Sequence, residues 1–134
     1  MLRDGRDNFI AAECMFIDRG LDVVSLEALA MRDGLRLANS LGFHNVEAES
    51  DSSQVIEFCS GQTQWWDAAA AIFTECVDIS NSIRRVKFRH CPRTANTAAH
   101  ELANYSYCNR NSISWINDPS RWLLGCLVDD LPCN

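Results

Sequence analysis

Residues 46–53 read Val46-Glu47-Ala48-Glu49-Ser50-Asp51-Ser52-Ser53. Small or apolar side chains (Val46, Ala48, Ser50) alternate with acids (Glu47, Glu49, Asp51), the two-residue period of a strand with unlike faces. The alternation stops at Asp51-Ser52-Ser53, which suits a strand end followed by a helix cap. In open α/β sheets, ligands bind beyond the carboxyl ends of the strands. Asp51 is therefore a candidate metal or ligand residue. Its candidate partner is Glu27, near the start of an upstream helical pattern.

Toward the C-terminus, a short helix over 52–59 carries Val55, Ile56 and Phe58, and Ser60-Gly61-Gln62-Thr63 is a loop. The spacing of Trp66, Ala69, Ala70, Phe73, Cys76 and Val77 predicts a helix over 66–80. Over 84–90, Val86 and Phe88 alternate with Arg85, Lys87 and Arg89, a strand with one basic face. Pro92 bars helix in the loop that follows. Ala95, Ala98, Ala99, Leu102 and Ala103 then predict a helix over 95–107. The stretch 109–116 is polar and loop-like around Trp115. Asp118-Pro119 offers a cap and a proline at the first helical position, ahead of an apolar face of Trp122, Leu123, Cys126 and Leu127.

Toward the N-terminus, Ser25 is a cap and Leu26, Leu29, Ala30, Leu37 and Leu41 form an apolar face that Gly42 ends. Glu27 shares a neighbouring stripe with Met31, Gly34 and Ala38, companions that turn it toward a crevice. Glu27 is equally an ordinary first-turn acid favoured by the helix dipole. Residues 8–18 read as a strand and Asp4-Gly5-Arg6-Asp7 as a turn. Only residues 1–3 are left for a strand before that turn, a stub too short to pair stably. The order is a partial strand, then β–α–β–α–α–β–α and a tail: a mixed-sheet α/β layer. Residues 1–108 are read as the domain and 109–134 as a C-terminal tail with a short helix.

At 134 residues and 47% apolar composition, the chain suits one globular domain. A net charge of −6 excludes a generic electrostatic nucleic-acid binder. Phosphate contact needs a local patch, and the best is Arg84-Arg85-Val86-Lys87-Phe88-Arg89-His90-Cys91-Pro92-Arg93. Charge alone reads that patch equally as a solvated basic edge strand. The seven cysteines are widely spaced, without a CxxC pair, and form neither a zinc nor a disulfide pattern. They favour a reducing intracellular compartment, cytosol or nucleus. No apolar run approaches a membrane span, and the start does not read as a signal peptide.

Three stretches stand in order: Glu27-Ala28-Leu29-Ala30, Glu49-Ser50-Asp51-Ser52, and His90-x-Pro92-Arg93-x-x-Asn96-x-x-Ala99-His100-Glu101-Leu102-Ala103. Their order and spacing resemble the ribonuclease H-like superfamily, in particular the reverse-transcriptase-like ribonuclease H domains common in plants and often derived from retroelements. The tail Trp115-x-x-Asp118-Pro119 also looks like that group. The resemblance implies a three-layer ribonuclease H-like fold and metal-dependent hydrolysis of RNA in RNA–DNA hybrids. Four acids there hold two Mg²⁺ ions, with Mn²⁺ an alternative; Glu27 and Asp51 match two of them. His90 matches a loop histidine that helps move protons or product. His100 occupies the position of the last acid. The acid of the first, central strand has no match, so the expected fold is N-terminally truncated, lacking most or all of that strand. Nucleic-acid contacts are then expected from Ser52, Arg85, Lys87, Arg89, Arg93 and Asn96. Three functions follow as expectations: an active hybrid nuclease, a catalytically reduced nucleic-acid-binding module, or an inert remnant that meets a protein partner through exposed Trp115 and Trp122 in the tail.

Overall fold

The computed structural model describes residues 1–64 and 67–129. Trp66, expected in the third helix, lies outside the described residues, as does the end of the tail. In chain order the elements are β1 (Leu2–Arg3), β2 (Phe9–Cys14), α1 (Val23–Ser40), β3 (Asn45–Ser50), α2 (Ser53–Cys59), α3 (Ala70–Ser82), β4 (Arg85–His90), α4 (Thr97–Asn109), β5 (Ile113–Ile116) and α5 (Arg121–Asp129). A single 3₁₀ turn, Arg93–Ala95, precedes α4. This is a mixed α/β chain that divides into two compact units, Gly20–Cys91 and residues 1–19 with those from Pro92 onward.

In the unit Gly20–Cys91, β3 and β4 pair in parallel from Asn45 opposite Arg85 to Ser50 opposite His90. Val46, Ala48, Val86 and Phe88 turn inward and pack on a core that includes Met31, Leu35, Val55, Phe73 and Ile83. The α1 cap is Asp22 rather than Ser25. The Asp22 carboxylate accepts the Ser25 backbone N–H at 2.8 Å and the Ser25 hydroxyl at 2.9 Å, so Ser25 is carried inside the helix and buried. The buried stripe also differs from the leucine stripe expected. It runs Ser25, Ala28, Met31, Leu35 and Ala38, while Leu26 and Leu41 are exposed. Small residues at 28 and 38 allow close packing, a gain that counting leucines does not register.

Both α1 and α2 end in the same device. Gly42 (φ 78°) follows α1, with Gly42 N–H donating to Asn39 O and Phe43 N–H to Ala38 O. Gly61 (φ 74°) follows α2, with Gly61 N–H donating to Phe58 O and Gln62 N–H to Glu57 O. These paired bonds satisfy the last helical carbonyls, and the left-handed residue they need is glycine in each case. On the α1–α3 flank, Glu75 accepts from Arg32 at 3.4 Å and from Arg36 at 2.9 Å.

In the other unit the sheet order is β1-β2-β5, all antiparallel. The two-residue β1 does pair, Leu2 with Ala11 and Arg3 with Phe9, because its turn is tightly bonded. Asp4 Oδ1 accepts the backbone N–H groups of Arg6 and Asn8, and Asp7 supplies the positive φ of 62°. The strand β2 stops at Cys14 instead of reaching residue 18; Phe16 N–H turns to the Ser112 hydroxyl at 2.8 Å. The stretch expected as loop contains β5, paired from Ile113–Cys14 to Ile116–Ala11. On the core side, Ala98 and Leu102 of α4 and Leu123 of α5 are buried with Ala12 and Cys14. Ala103, expected in that core, is exposed. Leu123 and Leu124 N–H donate to Ser120 O, so α5 starts after Ser120 and not at Asp118-Pro119. The expected apolar face of Trp122, Leu123, Cys126 and Leu127 does pack inward.

Phe73 is fully buried and stacks on Phe58 with ring centroids 4.4 Å apart. Phe73→Ala removes both the buried ring and that stack. The expected loss is about 3–5 kcal/mol of unfolding free energy in denaturant titration. A loss below about 1 kcal/mol contradicts this core assignment.

Candidate nucleic-acid and metal site

The candidate residues divide between the units. Glu27, Asp51, Ser52, Arg85, Lys87, Arg89 and His90 belong to Gly20–Cys91, and Arg93, Asn96 and His100 to the other.

Asp51 is fixed by the residues on either side of it. Ser50 is the last residue of β3; its carbonyl accepts the Cys91 N–H at 3.0 Å, and its buried hydroxyl accepts the Ser52 N–H at 3.1 Å. Ser52 caps α2, its hydroxyl accepting the Val55 N–H at 3.4 Å. Asp51 therefore sits half-buried in a one-residue link between a paired strand and a capped helix. The sequence places Ser50 on the inner face of the strand but does not reveal this bonding role. Its only signal was its place at the inward end of the alternation, where a hydroxyl replaces an apolar side chain. Glu27 is half-buried on α1 beside the core stripe that includes Met31 and Ala38.

The basic face of β4 meets the acidic face of β3. Lys87 Nζ donates to Glu47 Oε2 at 3.2 Å and Arg89 Nη1 to Glu47 Oε1 at 2.8 Å, while Arg89 Nε lies 3.9 Å from Glu49 Oε1. Glu47 thus joins the electrostatics of the basic patch, a role visible only once the register is known. Arg85, at the start of β4, is exposed opposite Asn45 and faces no acid in register. His90 is exposed as the last residue of β4, at the strand end expected for it.

In the other unit, Arg93 is exposed in the 3₁₀ turn. Asn96 is half-buried at the start of α4, its carbonyl accepting the His100 N–H at 3.1 Å. His100 is exposed on the first turn of α4, and Glu101 beside it is half-buried. The tail aromatics are not the exposed contacts expected. Trp122 stacks on Tyr105 (centroids 4.7 Å, planes 12° apart), and Trp115 meets both edge-on at 5.9 Å. Exposure in this region falls on Tyr107, Ile116, Leu124 and Val128 instead.

Among the described residues, no group of three or more His, Cys, Asp or Glu side chains is placed to hold a metal ion. Mg²⁺ demands near-octahedral oxygen coordination and is commonly held by one or two carboxylates, with waters and phosphate oxygens completing the set. Also among the described residues, no helix is long and apolar enough to cross a membrane.

The architecture is the mixed α/β fold of ribonuclease H. It is similar to the N-terminal RNase H domain of rv2228c from Mycobacterium tuberculosis, solved as a fusion with maltose binding protein, at 26% identity and a TM-score of 0.61. That match covers 63% of this chain and 62% of the other. RNase H1 from the halophilic archaeon Halobacterium salinarum NRC-1 shares the fold at 23% identity and a TM-score of 0.60, over 65% of this chain and 66% of its own. The chain thus spans somewhat under two thirds of each of these structures. It belongs to the reverse transcriptase-like family, whose pattern matches residues 1–106. No curated protein sequence matches it.

The Glu47 carboxyl is held below the usual carboxylate range, first by the Lys87 hydrogen bond and then by that of Arg89. A depressed folded pKa stabilises the fold above the unfolded value, and that stability is lost as pH falls through the folded value. Glu47→Gln is therefore expected to lower stability at neutral pH and to flatten its decline in acid. The scale at neutral pH is about 0.2–1 kcal/mol per pair, since the groups lie at the surface in contact with solvent. Thermal melts of both proteins at neutral and strongly acidic pH check this; an equal difference at both contradicts it.

Proposed function

We propose that this chain is a ribonuclease H-like domain that binds nucleic acid, with hydrolysis of RNA–DNA hybrids impaired. The observation that carries the reading is the family match over residues 1–106, within which Asp51 directly follows β3 and Ser52 caps α2. Glu27 and Asp51 are the two carboxylates this reading assigns to Mg²⁺ or Mn²⁺. The first-strand acid has no counterpart within these residues, and His100 stands where the last acid belongs. A ribonuclease H-like sheet lacking its central strand within residues 1–134 is part of the same reading. It is supported by two separate sheets among the described residues, one of them the lone β3–β4 pair.

Nucleic-acid contact is assigned to Ser52, Arg85, Lys87, Arg89, Arg93 and Asn96, and the catalytic positions to Glu27, Asp51, His90 and His100. Within that set Arg85 and Arg93 carry most of the phosphate attraction, because Lys87 and Arg89 are already compensated by Glu47 and Glu49. A second reading, a protein-binding remnant acting through residues 109–134, is favoured by Leu124 and Val128. These lie one helical turn apart on α5, and Val128 is 84% exposed.

The test uses a labelled RNA–DNA hybrid with the whole chain. Binding is expected to weaken steeply with salt and to drop further in the Arg85→Glu, Arg93→Glu double variant. Hydrolysis with Mg²⁺ or Mn²⁺ is expected no higher than in Asp51→Asn. Binding indifferent to salt and to the charge reversals sinks the nucleic-acid reading. Turnover that Asp51→Asn abolishes instead reveals a working enzyme and overturns the impairment.

A further inference from the structure

The antiparallel sheet ends at β5 on one side, and among the described residues no strand lies beyond it. Asn117 N–H donates to Ile10 O at 2.8 Å, directly opposite it in the register that pairs Ile116 with Ala11. Antiparallel ladders alternate between bonded and non-bonded pairs, so Trp115 and Ile113 bond to β2 as well. The N–H and C=O groups of Ser114 and Ile116 therefore point the other way, toward the open edge, and both residues are exposed.

Sheet edges are normally guarded against further strands by charge, a bulge or sheer shortness. The other sheet ends have such guards. β1 is two residues long, with a register shift between Leu2 and Arg3. β3 carries Glu47 and Glu49, and β4 carries Arg85, Lys87 and Arg89. On β5 they are missing. From Asn111 to Asn117 there is no charged residue, no proline and no glycine, and Ile116 is 53% exposed. Uncharged segments with this strand propensity are the ones that pair chain to chain.

We propose that β5 is a self-association edge, to which a second copy of this chain adds its own β5 antiparallel about a two-fold axis at Trp115. The register follows from the backbone. Within Ile113–Ile116, only the alignment that sets Ser114 opposite Ile116 of the second copy bonds both outward residues of each chain. Each such pair exchanges both of its N–H···O bonds. Trp115 then faces its own counterpart at a non-bonded position, where strands come closest and aromatic pairs are favourable. On the opposite face Glu13 stands beside Ser114, so across the contact it approaches Ile116 of the second copy and not another acid. The edge is thus complementary to itself, as a two-fold contact requires. A contact between strands of four residues is smaller than a standard interface, so the dissociation constant is on the order of 100 µM. The net charge of −6 on each copy opposes approach, and salt screens that repulsion. The proposal rests on the protein-contact reading of residues 109–134 and is independent of the nucleic-acid one.

The experiment is analytical ultracentrifugation of the whole chain under reducing conditions, over concentrations that bracket that constant, at low and high salt. The expected result is a monomer–dimer equilibrium that moves toward dimer as salt rises. Ser114→Pro deletes an outward N–H and no bond to β2, a place where an edge strand tolerates proline. By symmetry it acts twice, and it is expected to raise the dissociation constant on the order of tenfold or more. Hydrogen exchange of the wild-type chain reads the register: the Ser114 and Ile116 amides slow only at dimer concentrations, while those of Ile113, Trp115 and Asn117 are slow throughout. A monomer at every concentration overturns the proposal, as does a dimer whose Ser114 and Ile116 amides exchange as in the monomer. A dimer lost in Val128→Glu, on the exposed side of α5, but kept in folded Ser114→Pro overturns the strand edge while leaving the protein-contact reading intact. Wild-type exchange decides the matter if Ser114→Pro fails to fold.

Discussion

The in-register parallel pairing of Asn45–Ser50 with Arg85–His90 is the constraint on which the unit Gly20–Cys91 depends. Side chains alternate across a strand, so one register decides two faces at once. Inward, Val46, Ala48, Val86 and Phe88 complete a core with residues of α1, α2 and α3. Outward, the acids of β3 lie against the cations of β4. A slip of one residue would turn one strand over, burying Glu47 and exposing Val46 if β3 moved, or burying Lys87 and exposing Phe88 if β4 did. Burying a charged group costs far more than any exposed pair returns, so the register is set mainly by the inner face.

That register also delivers Asp51 to its position. The Ser50 carbonyl is held by Cys91, and the Ser52 hydroxyl holds the first turn of α2. Between a bonded strand end and a bonded helix start, a single linking residue has little backbone freedom. The glycine endings of α1 and α2 do similar work elsewhere, turning the chain within two residues and leaving few loose carbonyls. Short links with full hydrogen bonding make a site of this kind rigid without help from a bound ligand.

How much of this was legible in the sequence follows from where the information lies. The strand β3 was readable because its alternation is strict and its end is marked by a cap. The helices were readable as helices, but the α1 core stripe was not. Leucine counts favour one face, whereas close packing selects Ala28 and Ala38, and only the neighbouring helix reveals that choice. The strand β5 was illegible for a different reason. It has four residues, polar flanks and a partner some hundred positions away in β2, so no local signal separates it from a loop. Trp115 and Trp122 were misread as surface aromatics because their cover, including Tyr105 and each other, comes from separate elements. The ion pairing of Lys87 and Arg89 likewise depends on register, and a basic run in sequence does not announce its own counter-ions.

The two capacities considered for this family tolerate loss differently. A two-metal hydrolytic centre needs its oxygen donors at fixed positions, and transition-state stabilisation falls steeply when one is removed. Phosphate attraction is distributed over many cations and declines in steps, one contact at a time. On the proposed reading, in which Glu27 and Asp51 are the two acids matched, the first capacity is diminished far more than the second. The same reasoning limits the second. Glu47 and Glu49 occupy the outer face of the sheet beside Lys87 and Arg89, so an approaching phosphate must compete with carboxylates already there. Contact then falls to cations with no acid opposite them, and on β4 that description fits Arg85. Binding built on so few charges is weak at physiological salt, where screening acts within about 8 Å. Affinity at that strength requires contributions beyond simple charge, such as hydrogen bonds from Ser52 and Asn96 to sugar or phosphate oxygens.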